Sequence, residues 1–295
     1  MKSVSENLKE WAKEVQSLLT DLEQRSGIHD TGIVNDLARS GFAYIGADHA
    51  WDELDVAGKQ IQSRVKEEYS RFYALLTALL HNQPNSTART LEETEKKILK
   101  AIEQDSTEYH GDVHEIFASA QEALLAQVEL VGGLYDSSNG MPLMVPDTNA
   151  LLYNTDIDKW NFAEASKFRI MLTPTVLSEL DQLKVAGRTD EVRKKSEKLI
   201  RQIKEYRRRG PLANGVSVKK DAVELASVAI EPDTEAMLPW LSKENNDDRI
   251  LASVISIMRS NPSAPVAIVT RDINMQNKSE FARVPYLEPP EPVSP

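Results

Sequence analysis

The spacing of apolar residues changes once along the chain, near Gly140, and this change limits the fold more than any other feature. Before it, Leu8, Trp11, Val15, Leu18 and Leu22 recur at intervals of three and four, the stripe of an amphipathic helix starting near Val4. A second stripe, Leu54, Ile61, Val65, Phe72, Leu76 and Leu79, predicts a helix of about seven turns that ends at His81-Asn82-Gln83-Pro84-Asn85. Two more helices are expected, around Leu91, Ile98 and Ile102 and around Val113, Phe117, Ala120, Leu124 and Val128. The last should break at Gly132-Gly133 and Ser137-Ser138-Asn139-Gly140. Trp11, Trp51, Tyr69 and Phe72 fall largely on these stripes and read as packing. Residues 1–140 are therefore expected to form an all-α bundle.

Beyond Gly140 the apolar runs become short: Leu143-Met144-Val145, Phe168 to Leu172, and Val266 to Val269. Such runs suit strands buried between helices. Val216 to Ile230 alternates and adds one or two further strands. Strands alternating with helices predict an α/β fold with a mostly parallel sheet covered on both faces. The Pro-rich end, residues 285–295, cannot donate a regular ladder and is expected to be an extended tail.

Composition narrows the chemistry. The chain has no cysteine, which excludes disulfides, thiolate nucleophiles and Cys-based zinc sites. Any metal must be held by oxygen or imidazole. No apolar run approaches the roughly 18 to 20 residues needed to span a bilayer, so a soluble, cytoplasmic protein is expected. The net charge of −11 is uneven: residues 1–140 hold 13 Lys/Arg against 24 Asp/Glu, and residues 141–295 hold 22 of each. Nucleic-acid contacts are thus expected only from basic patches in the second half. His110 and His114 have zinc-like spacing, but no third ligand is evident and a surface pair is the better reading. Phosphate-loop, dinucleotide and serine-hydrolase signatures do not occur.

Four acids stand where an open α/β sheet binds ligands. Asp147 follows the run Leu143-Met144-Val145-Pro146, and Asp272 follows Val266 to Val269 through Thr270-Arg271. Thr173 and Pro174 read as the start of a helix that carries Glu179. Asn245-Asn246 read as the cap of another, whose first turn holds Asp247 and Asp248. Periodicity does not choose between Asp247 and Asp248. Taken singly, each acid has an ordinary explanation as a turn residue, a dipole-favoured residue or a solvated side chain. Taken together, converging carboxylates must take up protons or bind a cation. Oxygen ligands alone point to Mg2+ or Mn2+, which could activate water and neutralise charge on a phosphodiester.

These motifs resemble the PIN domain nuclease family: Val-Pro-Asp147-Thr-Asn, Thr-Pro-Thr-Val-Leu-Ser-Glu179-Leu-Asp-Gln-Leu-Lys, Asn-Asn-Asp-Asp248-Arg-Ile-Leu and Val-Thr-Arg-Asp272-Ile-Asn occur in the family's order. The second phrase looks most like the branch of RNA-decay and exosome-associated PIN nucleases. The resemblance covers residues 143 to about 284. It implies a Rossmann-like sheet over residues 141–284 and hydrolysis of single-stranded RNA by a metal-activated water. By the same carry-over, Asp147, Glu179, Asp248 and Asp272 are the catalytic metal ligands, with Asp248 the better match than Asp247. Asn149, Asp247, Thr270 and Asn274 would orient ligands or water.

The chain departs from a minimal domain in a long insert carrying a helix from about Asp190 to Arg209. Residues 184–210 hold 11 Lys/Arg against four Asp/Glu. Lys184, Arg188, Arg193, Lys194, Lys198, Arg201 and Arg208 are expected to track an RNA backbone, against an equal expectation of a merely solvated helix. The N-terminal helices could form a homo-oligomer, dock a protein partner or mask the nuclease pocket. Two other activities stay open: an inactive or masked RNA-binding scaffold acting through the bundle, and a structure-specific DNA nuclease.

Overall fold

The computed structural model describes residues 2–30, 49–105, 112–135, 140–234 and 237–292. The chain divides into two compact units, Ser5–Gly133 and Leu134–Pro295 with Met1–Val4. Among the described residues no helix is long and apolar enough to cross a membrane.

Among the described residues four helices build the first unit: α1 (Val4–Glu23), α2 (Val56–Leu80), α3 (Asn85–Glu103) and α4 (Val113–Tyr135). Their apolar stripes are its core, with Leu8, Trp11, Val15, Val65, Phe72, Leu76, Ile98 and Phe117 all buried. Trp11 packs edge-on to Phe72 at 5.6 Å between ring centres. Its indole N–H donates to Glu68 at 3.0 Å, which gives the one polar atom of a buried ring a partner. The unit is not purely helical, because β1 (Ile28–Asp30) pairs antiparallel with β2 (His49–Trp51). Nor does Gly132-Gly133 end α4. Val131 and Tyr135, four apart, are both buried, and burying such a face offsets the cost of about 1 kcal/mol per helical glycine. His110 lies outside the described residues, while His114 pairs with Glu23 at 2.9 Å.

The second unit is the α/β sheet expected from the sequence. Its strands are β3 (Leu143–Pro146), β4 (Phe168–Leu172), β5 (Val216–Lys219), β6 (Val223–Ser227), β7 (Val266–Val269) and β8 (Tyr286–Leu287). They lie in the order β5-β6-β4-β3-β7-β8, all parallel to their neighbours except β5. Central β3 and β7 are buried at every residue, as strands covered on both faces must be. From β3 the chain moves outward to β4 and β6, and only later returns to β7 on the other side. That reversal opens a crevice at the C-terminal ends of β3 and β7. The connecting helices are α5 (Thr148–Tyr153), α6 (Pro174–Ala186), α7 (Asp190–Arg209), α8 (Asn246–Ser260) and α9 (Ile273–Phe281).

The Pro-rich end departs from the extended tail expected of it. Tyr286–Leu287 form the edge strand β8. The ladder there uses carbonyls, which proline retains: Ile268 N–H donates to Pro285 and Thr270 N–H to Leu287, each at 2.9 Å. Farther on, the Asn154 side chain donates to the Pro290 carbonyl at 3.0 Å.

Candidate active site

Asp147 leaves β3 at the crevice and caps α5, its Oδ1 accepting from Ala150 N–H at 2.6 Å. The register Pro146↔Val269 brings Thr270 alongside, and the buried Thr270 hydroxyl donates to Asp147 Oδ2 at 2.5 Å. Thr270 Oγ1 also accepts from Asp272 N–H at 2.9 Å. Asp272 in turn caps α9 by accepting from Asn274 N–H at 2.8 Å. Asn149 approaches Asp272 at 3.5 Å. Asn274 therefore meets the site through its backbone, and its side chain is exposed.

Glu179 arrives on α6, whose start is set by Thr173 accepting from Val176 N–H at 3.3 Å and by Pro174 in the first turn. Its two oxygens are held separately, one by the Thr148 hydroxyl and the other by the Asn246 amide at 2.5 Å. Sequence reasoning missed both residues. Thr148 is hidden by adjacency to Asp147, and Asn246 was weighed only as part of a cap. Asn246 is itself steadied by Arg249 Nη1 at 3.0 Å, while Nε and Nη2 of the same guanidinium donate to Glu231. Glu179, Asp147, Thr148, Asn246, Asp247 and Gln182 line a cavity of about 370 Å³.

Of the two adjacent acids, Asp247 lines this cavity and Asp248 does not. Asn245 fixes both by accepting from their backbone N–H groups at 2.9 and 3.3 Å. On a helix, successive side chains diverge by about 100°, so only one of the pair can face the crevice. Asp248 is buried, accepts from Ser242 N–H at 3.0 Å and lies 2.7 Å from Lys278 Nζ. Its Oδ1 makes no hydrogen bond of good geometry, so the contact with Lys278 is chiefly Coulombic. Lys278 also stands 3.7 Å from Asp247. Nothing in the sequence pattern marked Lys278.

The electrostatics are those of an acidic pocket that Lys278 compensates only in part. Burial lifts Asp147 to about 6, the Thr270 and Ala150 hydrogen bonds oppose the rise, and Asp272 and Asp247 add to it. Asp247 is also raised, first by burial, with Lys278 opposing and Asp272, Glu179 and Asp248 reinforcing. These mutual effects place Asp147, Glu179, Asp247 and Asp272 around one field.

Residues 144–288 match the family model of the PIN domain. The C-terminal half is a PIN domain. PIN domains are generally nucleases, and the fold found here is the α/β fold of that family. The match does not single out the RNA-decay branch. No curated protein matches the chain.

PIN domains typically use divalent metal ions, and the donors of this PIN domain suit one. The carboxylates supply only hard oxygen ligands, and Asp147 is strained against ionisation where a cation would relieve it. Among the described residues no three acids close on a common point at ligand distance.

The basic residues expected to track RNA, which lie on α6, on α7 and between them, divide into two groups. Lys184, Arg193, Lys198 and Arg208 make ion pairs, with Asp181, Asp190, Asp156 and Glu205 respectively. Lys198 also bonds Thr155 at 3.0 Å, tying the helix to the loop after α5. Arg188, Lys194 and Arg201 are exposed, with no ion pair among the described residues. The opposite face, with Leu199, Ile200 and Ile203, is core.

Proposed function

We propose that this PIN domain hydrolyses phosphodiester bonds of single-stranded RNA in the acid-lined cavity, using Mg2+ or Mn2+. The observation that carries this reading is that Asp147, Glu179 and Asp247 line one cavity at the reversal of the sheet, with Asp272 close enough to raise both Asp147 and Asp247. A cation held there by one or two of these carboxylates would neutralise phosphate charge and make an attacking water more acidic. The protein's own groups set the geometry. Thr270 fixes the Asp147 carboxylate, and Thr148 with Asn246 prevents Glu179 from rotating. Lys278 holds Asp248 away from the cavity and tempers the charge of Asp247. Of the seven basic residues expected to track RNA, Arg188, Lys194 and Arg201 are exposed and available to a phosphate backbone. The helical unit would serve self-association, partner docking or masking.

The test is cleavage of labelled single-stranded RNA and DNA in Mg2+, Mn2+ or EDTA by wild type, Asp147→Asn and Asp272→Asn. Metal-dependent cutting of RNA that falls at least about 100-fold in both variants supports the proposal. Preferential cutting of DNA would replace the substrate. Binding of RNA without cutting under any metal would favour a scaffold.

A further inference from the structure

The aromatic side chains Trp240 and Phe281 stand outside both the core and the cavity. Their ring centres lie 5.3 Å apart at 83°, and they remain 37% and 41% exposed. Burying aromatic rings is among the most favourable contacts available to a fold. Trp11 and Trp160 follow that rule, being 2% and 1% exposed with bonded indole N–H groups. Trp240 does not. Its neighbours Met237, Leu238 and Leu241 are buried, and Leu241 N–H closes the turn onto Leu238 at 3.0 Å. The turn is thus pinned by its aliphatic residues and displays the indole.

Both rings stand on segments tied to Asp248 and Asp247, beside the cavity. Two residues after Trp240, Ser242 N–H donates to Asp248. One helical turn before Phe281, Lys278 reaches Asp248 and Asp247, and Asp247 lines the cavity. The α9 helix that ends at Phe281 begins at its cap, Asp272. At 1.5 Å per residue the two ends of α9 are about 12 Å apart, a span that a few nucleotides cover.

We infer that Trp240 and Phe281 form a stacking platform for an unpaired base of the strand entering the acid-lined cavity. This rests on the nuclease reading above. The acid cavity by itself repels phosphate, so a strand needs binding energy from outside it, and stacking supplies that without reading sequence. A base in a duplex is covered by its neighbours and cannot stack there, so the platform selects single strands.

The test uses the full chain carrying Asp147→Asn, so that the strand stays whole, titrated in Mg2+ with a fluorescent single-stranded RNA. A series of the same strand carrying one abasic nucleotide at successive positions is titrated in parallel. Trp240→Leu keeps apolar bulk but no ring and should weaken binding roughly 5- to 100-fold, the worth of one stacked base. Trp240→Phe should keep most of the affinity. One abasic position should weaken binding to the Trp240 protein and make no difference to Trp240→Leu. Unchanged affinity in Trp240→Leu and Phe281→Leu, or equal losses in Trp240→Leu and Trp240→Phe, would overturn the platform while wild-type cleavage still upheld the nuclease. Absence of metal-dependent cleavage by wild type, with the abasic effect present, would instead remove the nuclease reading and leave the platform as a binding site.

Discussion

Gln127, in the helical unit, and Asp147, in the PIN domain, are both buried polar side chains, and the difference between their surroundings separates structure from function. The Gln127 amide donates to Tyr69 OH at 3.0 Å and to Thr94 Oγ1 at 3.1 Å. All three groups are neutral, so no charge is buried, although Gln127 Oε1 has no hydrogen-bond partner among the described residues. Asp147 also has its hydrogen bonds, from Thr270 and Ala150, yet its charged form stays disfavoured, first by burial and then by two more acids that face it. Satisfying lone pairs removes neither the cost of burying a charge nor like-charge repulsion. The first arrangement belongs to a core, and the second is one that a cation would relieve.

The largest effect expected from this contrast is in the stability of the metal-free protein. The rise of Asp147 from 3.8 to about 6 means that the folded state holds the proton more tightly than the unfolded one. Stability from this group is therefore intact below the ordinary value and lost as pH climbs through about 6, by about 3 kcal/mol in all. Asp147→Asn should be more stable than wild type at pH 7.5 and equal to it near pH 3.8, as read by denaturant unfolding across pH. A gap that does not change with pH would break the comparison. Added Mg2+ should stabilise wild type more than the variant.

A smaller effect, without pH dependence, is expected in the helical unit. Gln127→Ala strips Tyr69 and Thr94 of their donor and should cost about 1 to 3 kcal/mol at every pH between 5 and 8, with RNA cleavage unchanged. A pH-dependent loss would show that the polar node is coupled to ionisation after all.

The smallest change in stability should accompany a large change in activity. Asp247→Asn leaves the Asp248–Lys278 pair intact and should alter stability by less than about 1 kcal/mol, while reducing cleavage at least about 100-fold. Asp248→Asn should do the reverse, destabilising by about 2 kcal/mol because Lys278 loses its nearest partner. Measuring both variants by thermal melting and cleavage sharpens the assignment, and the opposite pattern would restore Asp248 to the site.

Much of the fold was legible because local patterns and tertiary packing agree. The stripes of α1 to α4 and the runs of β3, β4 and β7 are periodic signals that burial then enforces. The Thr173 and Asn245 caps were readable for the same reason, since a helix start requires an acceptor at that position. The β1–β2 pair was not readable, since three-residue strands carry no periodicity. The strand in the Pro-rich end was missed because it pairs through carbonyls, which no composition rule reports.

The amino-acid order by itself determined that a helical segment precedes an α/β sheet, and that carboxylates follow two of its central strands. Residue spacing encodes which face a side chain takes, and strand ends are encoded by where apolar runs stop. Only the tertiary structure decided that Asp247 rather than Asp248 lines the cavity, that Thr148 and Asn246 hold Glu179, and that Lys278 comes from another helix to take up Asp248. Those choices depend on which side chains from distant segments reach the same few ångströms, and a local pattern carries no record of that distance.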